Sequence, residues 1–395
     1  MVTRRLLAHS DSPAFRFVLI MGLVNLFGDM TYEGGAAING QFLAQLGATA
    51  AAVSIIAGGA EFLGYALRSV AGYVADRIHR YWAVAFVGYI LNLFAVPAMA
   101  LAGTWQIAAA FIVAERIGRA IRKPPEEAML SYSTKTLGRG WVYALNTGLD
   151  ETGATLGPLV AAIVLFFKGS YHMAYALLLI SSVLALASLT AARINFPVPA
   201  RLEEGQVARA TGFTRPYWLF VAAGTLFACG LMSYELVSFH LARTQLVSAT
   251  SIPVLLAITT GIGVIANLIL GRSFDRFGIV VVLVAVTLSA FFTPLAFSGS
   301  LIAFLAAMPL WAIGYATQDT LLKAIIAGLL PEGRRSLAFG LFYTGYGVGW
   351  LVGSTVTGLL YEHSRTALMA FAVVMQLASL PLFLIAARSA RKSRS

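Results

Sequence analysis

Twelve apolar runs, each long enough to cross a bilayer, follow one another along the 395 residues of this chain. A membrane-crossing helix needs about 20 mostly apolar residues. The runs fall at 14–43, 49–74, 82–102, 105–124, 140–167, 172–192, 216–242, 251–271, 279–299, 301–325, 336–361 and 367–388, separated by short basic or Gly/Pro/Ser segments. Overall 59% of the residues are apolar and only 11% charged, against about a quarter charged in an ordinary soluble domain. The spans leave no room for a soluble catalytic domain. The expected class is therefore an all-α integral membrane protein with twelve transmembrane helices.

Several chemistries are excluded by what the chain lacks. The single cysteine, Cys229, rules out an intrachain disulfide and a CxxC motif. His9, His79, His172, His240 and His363 are scattered, with no HExxH and no ligand-spaced pair, so no metal site is expected. There is no GxxxxGK[ST] phosphate loop. No nucleophile–base pair or metal cluster suggests an enzyme. No cofactor is expected, and the driving force for any transport is expected to be an ion gradient, of protons first. A channel is the other membrane class, separable by unitary currents from a carrier with saturable counterflow.

The only sizeable polar stretch, 193–215, lies near the middle of the chain. It reads as a cytoplasmic linker between an N-terminal six-helix bundle over 1–192 and a C-terminal one over 216–395. Arg4, Arg5, Arg77, Arg80, Arg122, Lys123, Arg139, Arg201, Arg272, Arg276, Arg334, Arg335, Arg391 and Lys392 fall on one side of this map, and little more than Lys168, Arg243 and Arg365 on the other. The positive-inside rule then puts both termini in the cytoplasm of a multi-pass inner-membrane protein. The same asymmetry accounts for a pI near 9.9 without nucleic acid. The expected partners are a small-molecule substrate and the lipid bilayer, for a monomer.

Charge inside a bilayer costs about 2.5–3.5 kcal/mol per residue, so charged positions should face protein or water. Spans 3, 6, 9 and 12 carry no acid or base and read as apolar, lipid-facing supports. The interior charges are Asp29, Glu33, Glu61, Arg68, Glu115, Arg116, Asp150, Glu151, Glu235, Asp319 and Lys323, eight acids against three bases. Asp29 and Glu33 are four apart on one helix face, and Glu115 shares a face with Arg119. An acid surplus suits a proton-coupled carrier, with Asp29, Glu33, Glu115, Asp150 and Glu151 as proton-coupling candidates; each would equally serve as a structural ion-pair partner. Asp319 and Lys323 read as a self-neutralised pair. Tyr343, Tyr346 and Trp350 share one face of span 11 and, with Gln318, Tyr32 and Glu33, form the substrate-binding candidates. The same aromatic face could instead pack against a neighbouring helix.

The two halves also read as a repeat. Gly72-x-x-x-Asp76-Arg77-x-x-Arg80 follows span 2, and Gly271-x-x-x-Asp275-Arg276-x-Gly278 follows span 8. Span 5 is rich in glycine at Gly148, Gly153 and Gly157, span 11 at Gly345, Gly347, Gly349 and Gly353. A carboxylate at Asp76 or Asp275 could bond the N-terminal amides of a neighbouring helix, or an arginine, and act as a breakable latch; a purely topogenic loop is the alternative. Asp76, Arg77, Arg116, Asp275 and Arg276 are the gating candidates.

These motifs resemble the major facilitator superfamily, and its drug/proton antiporter branch in particular. The resemblance is carried by the Gly72 to Arg80 loop and its copy at Gly271 to Gly278. It is also carried by Gly153-Ala-Thr-Leu-Gly157-Pro158-Leu-Val-Ala161-Ala162, where alanines replace a closing glycine pair. Phe27-Gly-Asp29-Met-Thr31-Tyr32-Glu33-Gly34 and Glu115-Arg116-Ile-Gly118-Arg119-Ala-Ile-Arg122-x-Pro124 resemble a bacterial permease subgroup of it. The resemblance implies two pseudo-symmetric six-helix bundles and alternating access. Proton-coupled export of an amphipathic small molecule is the first expectation; uptake of a small polar solute or metal complex is the alternative.

Overall fold

The structure, a computed structural model, describes residues 12–48, 50–168, 170–202, 212–233, 236–237, 240–241, 244–247, 251–331 and 333–392. The described residues are overwhelmingly helical, with no strand among them. Helix α1 spans Pro13–Gln45, α2 Ala50–Ile78, α3 Tyr81–Ala98, α4 Trp105–Ser131, α5 Arg139–Lys168 and α6 Tyr171–Asn195. Helix α7 spans Arg215–Gly230, α8 Ser251–Phe277, α9 Ile279–Ala290, α10 Leu301–Ala316, α11 Arg335–His363 and α12 Arg365–Lys392. Phe292–Ala296 continues α9, while α10 runs through a π-helical segment, Thr317–Leu322, into Lys323–Ala327.

Local chemistry starts several of these helices. The hydroxyl of Ser12 accepts from the amide of Phe15 at 3.2 Å, ahead of Pro13. Ser170 accepts from Met173 at 3.3 Å and Ser300 from Ala303 at 3.4 Å. Each hydroxyl satisfies an amide that the helix itself leaves without a partner. With their continuations, α1, α3, α5, α6, α9, α10 and α12 are apolar and long enough to cross a membrane on composition alone. Helix α4 is different: it carries seven charged residues, Glu115, Arg116, Arg119, Arg122, Lys123, Glu126 and Glu127. These need partners inside the protein.

The chain divides into two compact units. The first comprises Met1–Gly138, Leu145–Ala208 and Glu332–Leu341, and so includes the first turns of α11. The second comprises Arg139–Ala144, Arg209–Pro331 and Phe342–Ser395, and includes the first turn of α5. In the first unit Phe42, Val96, Ile112, Val164, Tyr175 and Leu178 bring five helices together in one apolar cluster. In the second, Phe292 stacks on Trp311 with ring centroids 5.0 Å apart, beside Phe304 and Leu368.

The glycines of α5 and α11 are seams. A Cβ on Gly153 would meet the backbone oxygen of Leu26, and one on Gly157 that of Met30, so α1 lies against α5 main chain to main chain. In the second unit Gly349 meets the Thr225 oxygen and Gly353 that of Cys229, seating α7 on α11 in the same way. Close packing through small residues is what helix pairs use where lipid offers no hydrophobic drive. These glycines are thus accounted for by packing.

Three expectations are corrected. Span 7, read over 216–242, is not continuous: α7 stops at Gly230, and Leu231 is extended. Side-chain donors take the carbonyls this releases: Gln376 Nε2 donates to Gly230 O at 2.8 Å, and Trp311 Nε1 to Met232 O at 3.1 Å. Span 4, read over 105–124, continues through Pro124 and Pro125 to Ser131, because its polar residues find buried partners. Nor is every third helix apolar all round. Tyr89 and Asn92 of α3 are buried in a polar network, Ser182 of α6 donates to Leu93 O at 2.9 Å, and Gln376 of α12 is bonded by Ser289. Exposed apolar side chains stand on α3, α6, α9 and α12, as at Ile90, Ile180, Val284 and Ile385; they also stand on α2, α5, α8 and α11, as at Phe62, Ile163, Ile265 and Leu359. Residues 203–211 of the linker, Arg4, Arg5, Tyr234, Glu235 and Arg243 lie outside the described residues, as does the side chain of Glu61.

Candidate functional site

Glu115, Arg119, Arg122 and Glu126 recur at intervals of four, three and four along α4, a polar stripe down one face. The inner face of the first unit answers it with Asn25, Asp29, Tyr32 and Glu33 from α1, Tyr89 and Asn92 from α3, and Asn146 and Asp150 from α5. Two ion networks result.

The deeper network centres on Arg122 and Glu126, both 0% exposed. Arg122 Nη1 donates to Glu126 Oε2 at 3.1 Å, and its Nη2 lies 3.8 Å from Asp29 Oδ1. Glu126 also accepts from Asn25 Nδ2 at 2.6 Å and from Tyr89 Oη at 2.8 Å. Asn146 accepts from Asn25 at 3.1 Å. Lys123 Nζ sits 3.7 Å from Glu126 Oε1 and 3.7 Å from Asp150 Oδ2. The carboxyls of Asp29 and Asp150 lie near one another, each beside one of these cations. Three carboxyls therefore face two cations.

The second network is balanced. Glu115 lies between Arg116, at 3.4 Å, and Arg119, at 3.3 Å, and accepts from Asn92 Nδ2 at 2.8 Å. Arg119 also reaches Glu33 at 3.7 Å, the latter's side chain being 38% exposed. Two acids here meet two bases. Tyr32 joins the networks: Arg119 lies over its ring at 3.6 Å and Arg122 at 5.6 Å. A guanidinium on an aromatic face is stabilised by the ring's quadrupole, more so when desolvated. Glu151, next to Asp150, is half-buried on another side of α5.

A separate pair of contacts clasps two helix N-termini. In the first unit Asp76, at the end of α2, accepts from the amides of Ser336 at 3.1 Å and Leu337 at 2.6 Å, in the first turn of α11. Tyr81 Oη donates to the same carboxylate at 2.6 Å. Asp76 lies past the span read over 49–74; burial pushes its carboxyl up from the ordinary value, while Tyr81 and the two amides pull it down. Arg335 of that first turn donates to Ser131 Oγ at 3.1 Å, at the end of α4. In the second unit Asp275, at the end of α8, accepts from the amides of Gly140 at 2.8 Å and Trp141 at 2.7 Å, in the first turn of α5. Helix N-termini present unpaired amides and positive dipole ends, so each carboxylate is well placed. Gly72 lets this approach occur, since a Cβ there would stand 2.5 Å from Ser336 O. Arg77 is exposed and bonds Tyr73 at 2.8 Å, and Arg276 lies over the Phe277 ring; neither is brought to these amides. Arg116 is drawn to Glu115 instead. Asp76→Ala should therefore lower thermal stability by about 1–3 kcal/mol, as two buried amides lose their acceptor. Arg77→Ala should leave it within about 0.5 kcal/mol; equal unfolding temperatures for the two variants would contradict the assignment.

In the second unit Tyr346 Oη donates to Gln318 Oε1 at 2.6 Å and stacks on Trp350 at 6.3 Å. Tyr343 is buried one helical turn away, against Phe342. Trp350 also meets Tyr315, whose hydroxyl donates to Met232 O at 3.3 Å. Gln318 belongs to the π-helical turn of α10, where Asp319 and Lys323 pair at 3.7 Å. Such turns widen a helix locally and are frequent at functional positions.

The sequence singles out Asp29, Glu33, Glu115 and Asp150, which the structure brings into these networks, but counts Arg122 and Lys123 with the basic residues of the cytoplasmic side. The structure buries both, because Glu126, Asp29 and Asp150 compensate them. Asn25, Tyr89, Asn92 and Asn146 were missed. The available signal was spacing: Asn25, Asp29 and Glu33 lie four apart, as do Arg122 and Glu126.

Among the described residues, an all-helical arrangement with charges buried between apolar helices is that of a multi-pass membrane protein. The chain belongs to the Major Facilitator Superfamily, whose profile matches residues 18–317 and again 219–395. It has that superfamily's all-α fold. An uncharacterised protein of Mycobacterium tuberculosis is 32% identical over 375 residues, covering 93% of this chain and 92% of that one. Among solved structures, the human organic anion transporter MFSD10 aligns with a TM-score of 0.71 at 14% identity, covering 95% of this chain and 99% of that one. A bacterial homologue of the iron transporter ferroportin, in an outward-facing state with soaked iron, aligns with a TM-score of 0.72 at 15% identity, covering 94% and 99%.

Proposed function

We propose that the chain is a secondary active transporter working by alternating access, which exports an amphipathic small molecule in exchange for protons. The observation that carries this reading is the charge count of the deeper network. Arg122 and Lys123 supply two positive charges, while Asp29, Asp150 and Glu126 supply three carboxyls. Two neighbouring carboxyls in a low-dielectric interior do not both ionise cheaply, so the Asp29–Asp150 pair is the place for one proton. A proton bound to the pair lowers the negative charge of the network, and its release adds one negative charge to a low-dielectric interior. Coupling arises when that charge is tolerated in one conformation and not in the other. Glu33 and Glu115, paired with arginines, are the weaker proton carriers.

The remaining roles follow from the same reading. Tyr32, Glu33, Gln318, Tyr343, Tyr346 and Trp350 are the candidates for contact with the substrate. Asp76 and Asp275 act as gates, releasing and recapturing helix N-termini as the transporter cycles. Exposed Arg77, Arg80, Arg201, Arg272 and Arg276 support an inner-membrane orientation with both termini cytoplasmic. No cofactor is required, since the proton gradient supplies the work.

Reconstituted vesicles with ethidium as probe test this. An acid lumen should drive ethidium inward as protons leave, monitored with an entrapped pH-sensitive dye. Ethidium moving with protons rather than against them would identify symport and overturn export. Ethidium indifferent to the gradient would overturn the amphipathic-cation reading.

A further inference from the structure

Lys123 occupies a position that its sequence context does not suggest. It is buried beside Pro124 and stands at the same distance, 3.7 Å, from two carboxylates on different helices: Glu126 of its own helix α4 and Asp150 of α5. Both separations are ion-pair distances, longer than a hydrogen bond, and Nζ has no hydrogen-bond partner in this arrangement. A flexible four-carbon stem carrying a compact charge can close on either neighbour with little change elsewhere. Arg122, beside it, is fixed by contrast: it hydrogen-bonds Glu126 and Asn25 and lies over the Tyr89 ring. Glu126 on α4 and Asp150 on α5 stand beside Lys123, with Arg122 of α4 and Tyr89 of α3 bonded to Glu126 and Asp29 of α1 near Asp150.

We propose that Lys123 is the moving counter-ion of the transporter: it closes on Asp150 when the Asp29–Asp150 pair has lost its proton, and on Glu126 when the pair holds one. This rests on the proton-coupled reading and adds a residue to it. With the pair protonated, Glu126 is the remaining anion in reach of Lys123. With the pair ionised, Asp150 attracts Lys123, and the contact between α4 and α5 tightens. Protonation at α1 and α5 is thereby converted into a change of contact with α4. Lys123 is a positioning residue, since it acts through the carboxyls rather than by carrying the proton.

The test uses full-length protein in vesicles with ethidium as probe. Lys123→Gln should lose about tenfold or more of proton-coupled flux while retaining counterflow at equal pH, and Lys123→Arg should keep both. Infrared spectroscopy should show Lys123→Gln holding more protonated carboxyl than wild type at neutral pH, an effect that a packing role would not produce. Wild-type proton coupling and an unchanged carboxyl band in Lys123→Gln would overturn the proposal. If Lys123→Gln does not fold, the variant Lys123→Gln/Asp150→Asn, which returns the network to the wild-type surplus of one carboxyl, should recover folded protein; failure to recover it would overturn the link to Asp150. Wild-type protein that moves no protons with ethidium would refute the coupled reading instead, leaving the recovery experiment to decide the pairing separately.

Discussion

Arg122→Met should be the most damaging single substitution in the first unit, costing about 3–5 kcal/mol of stability. The guanidinium is fully buried and compensates Glu126 and Asp29, while Tyr89 and Asn25 complete its surroundings. Removing it leaves Glu126, also fully buried, with Lys123 as its remaining ion-pair partner among the described residues. The cost comes from stranding a carboxylate away from water, not from losing an attractive pair, which in such settings is nearly offset by desolvation. Thermal unfolding in detergent reads it directly. A fall in midpoint no larger than that of Arg77→Met, at an exposed position, would show that the charges are not compensating one another.

Asp29→Asn and Asp150→Asn should each cost about tenfold or more in proton-driven transport while leaving substrate counterflow at equal pH. Asparagine keeps the size of the side chain but removes the group proposed to bind the proton. It also leaves two carboxyls facing two cations, so the variant network is neutral without a proton and should fold well. That separates these changes from Arg122→Met, which breaks the balance. Glu33→Gln and Glu115→Gln should affect proton coupling less, because each acid already faces an arginine. Equal losses in all four variants would mean that the acids act as one undifferentiated set.

The membrane class and the repeat were legible in the sequence because both are written in apolar run length and in recurring glycines and aspartates. Asp76 and Asp275 stood out as a matched pair, and their proposed bonds to helix amides are found. The amides carry no side-chain signature, so which helix each aspartate reaches was not readable. The site was legible where a charge interrupts an apolar run, as at Asp29 and Glu115. It was not legible where charge sits at the end of one. Arg122 and Lys123 beside two prolines look like any cytoplasmic loop, and only Glu126, four residues on, betrays a continuing helix. Single polar residues such as Tyr89 and Asn92 on α3 are invisible for another reason. One polar group in an apolar helix implies a partner without naming it.

On the proposed reading, the Asp29–Asp150 pair inside the first unit holds one proton. Infrared difference spectroscopy of the reconstituted protein reads protonated carboxyl groups directly. The account expects a protonated-carboxyl band at neutral pH that is lost in Asp29→Asn and in Asp150→Asn but survives Glu33→Gln. A spectrum with no such band, or a band unmoved by either aspartate substitution, would contradict it.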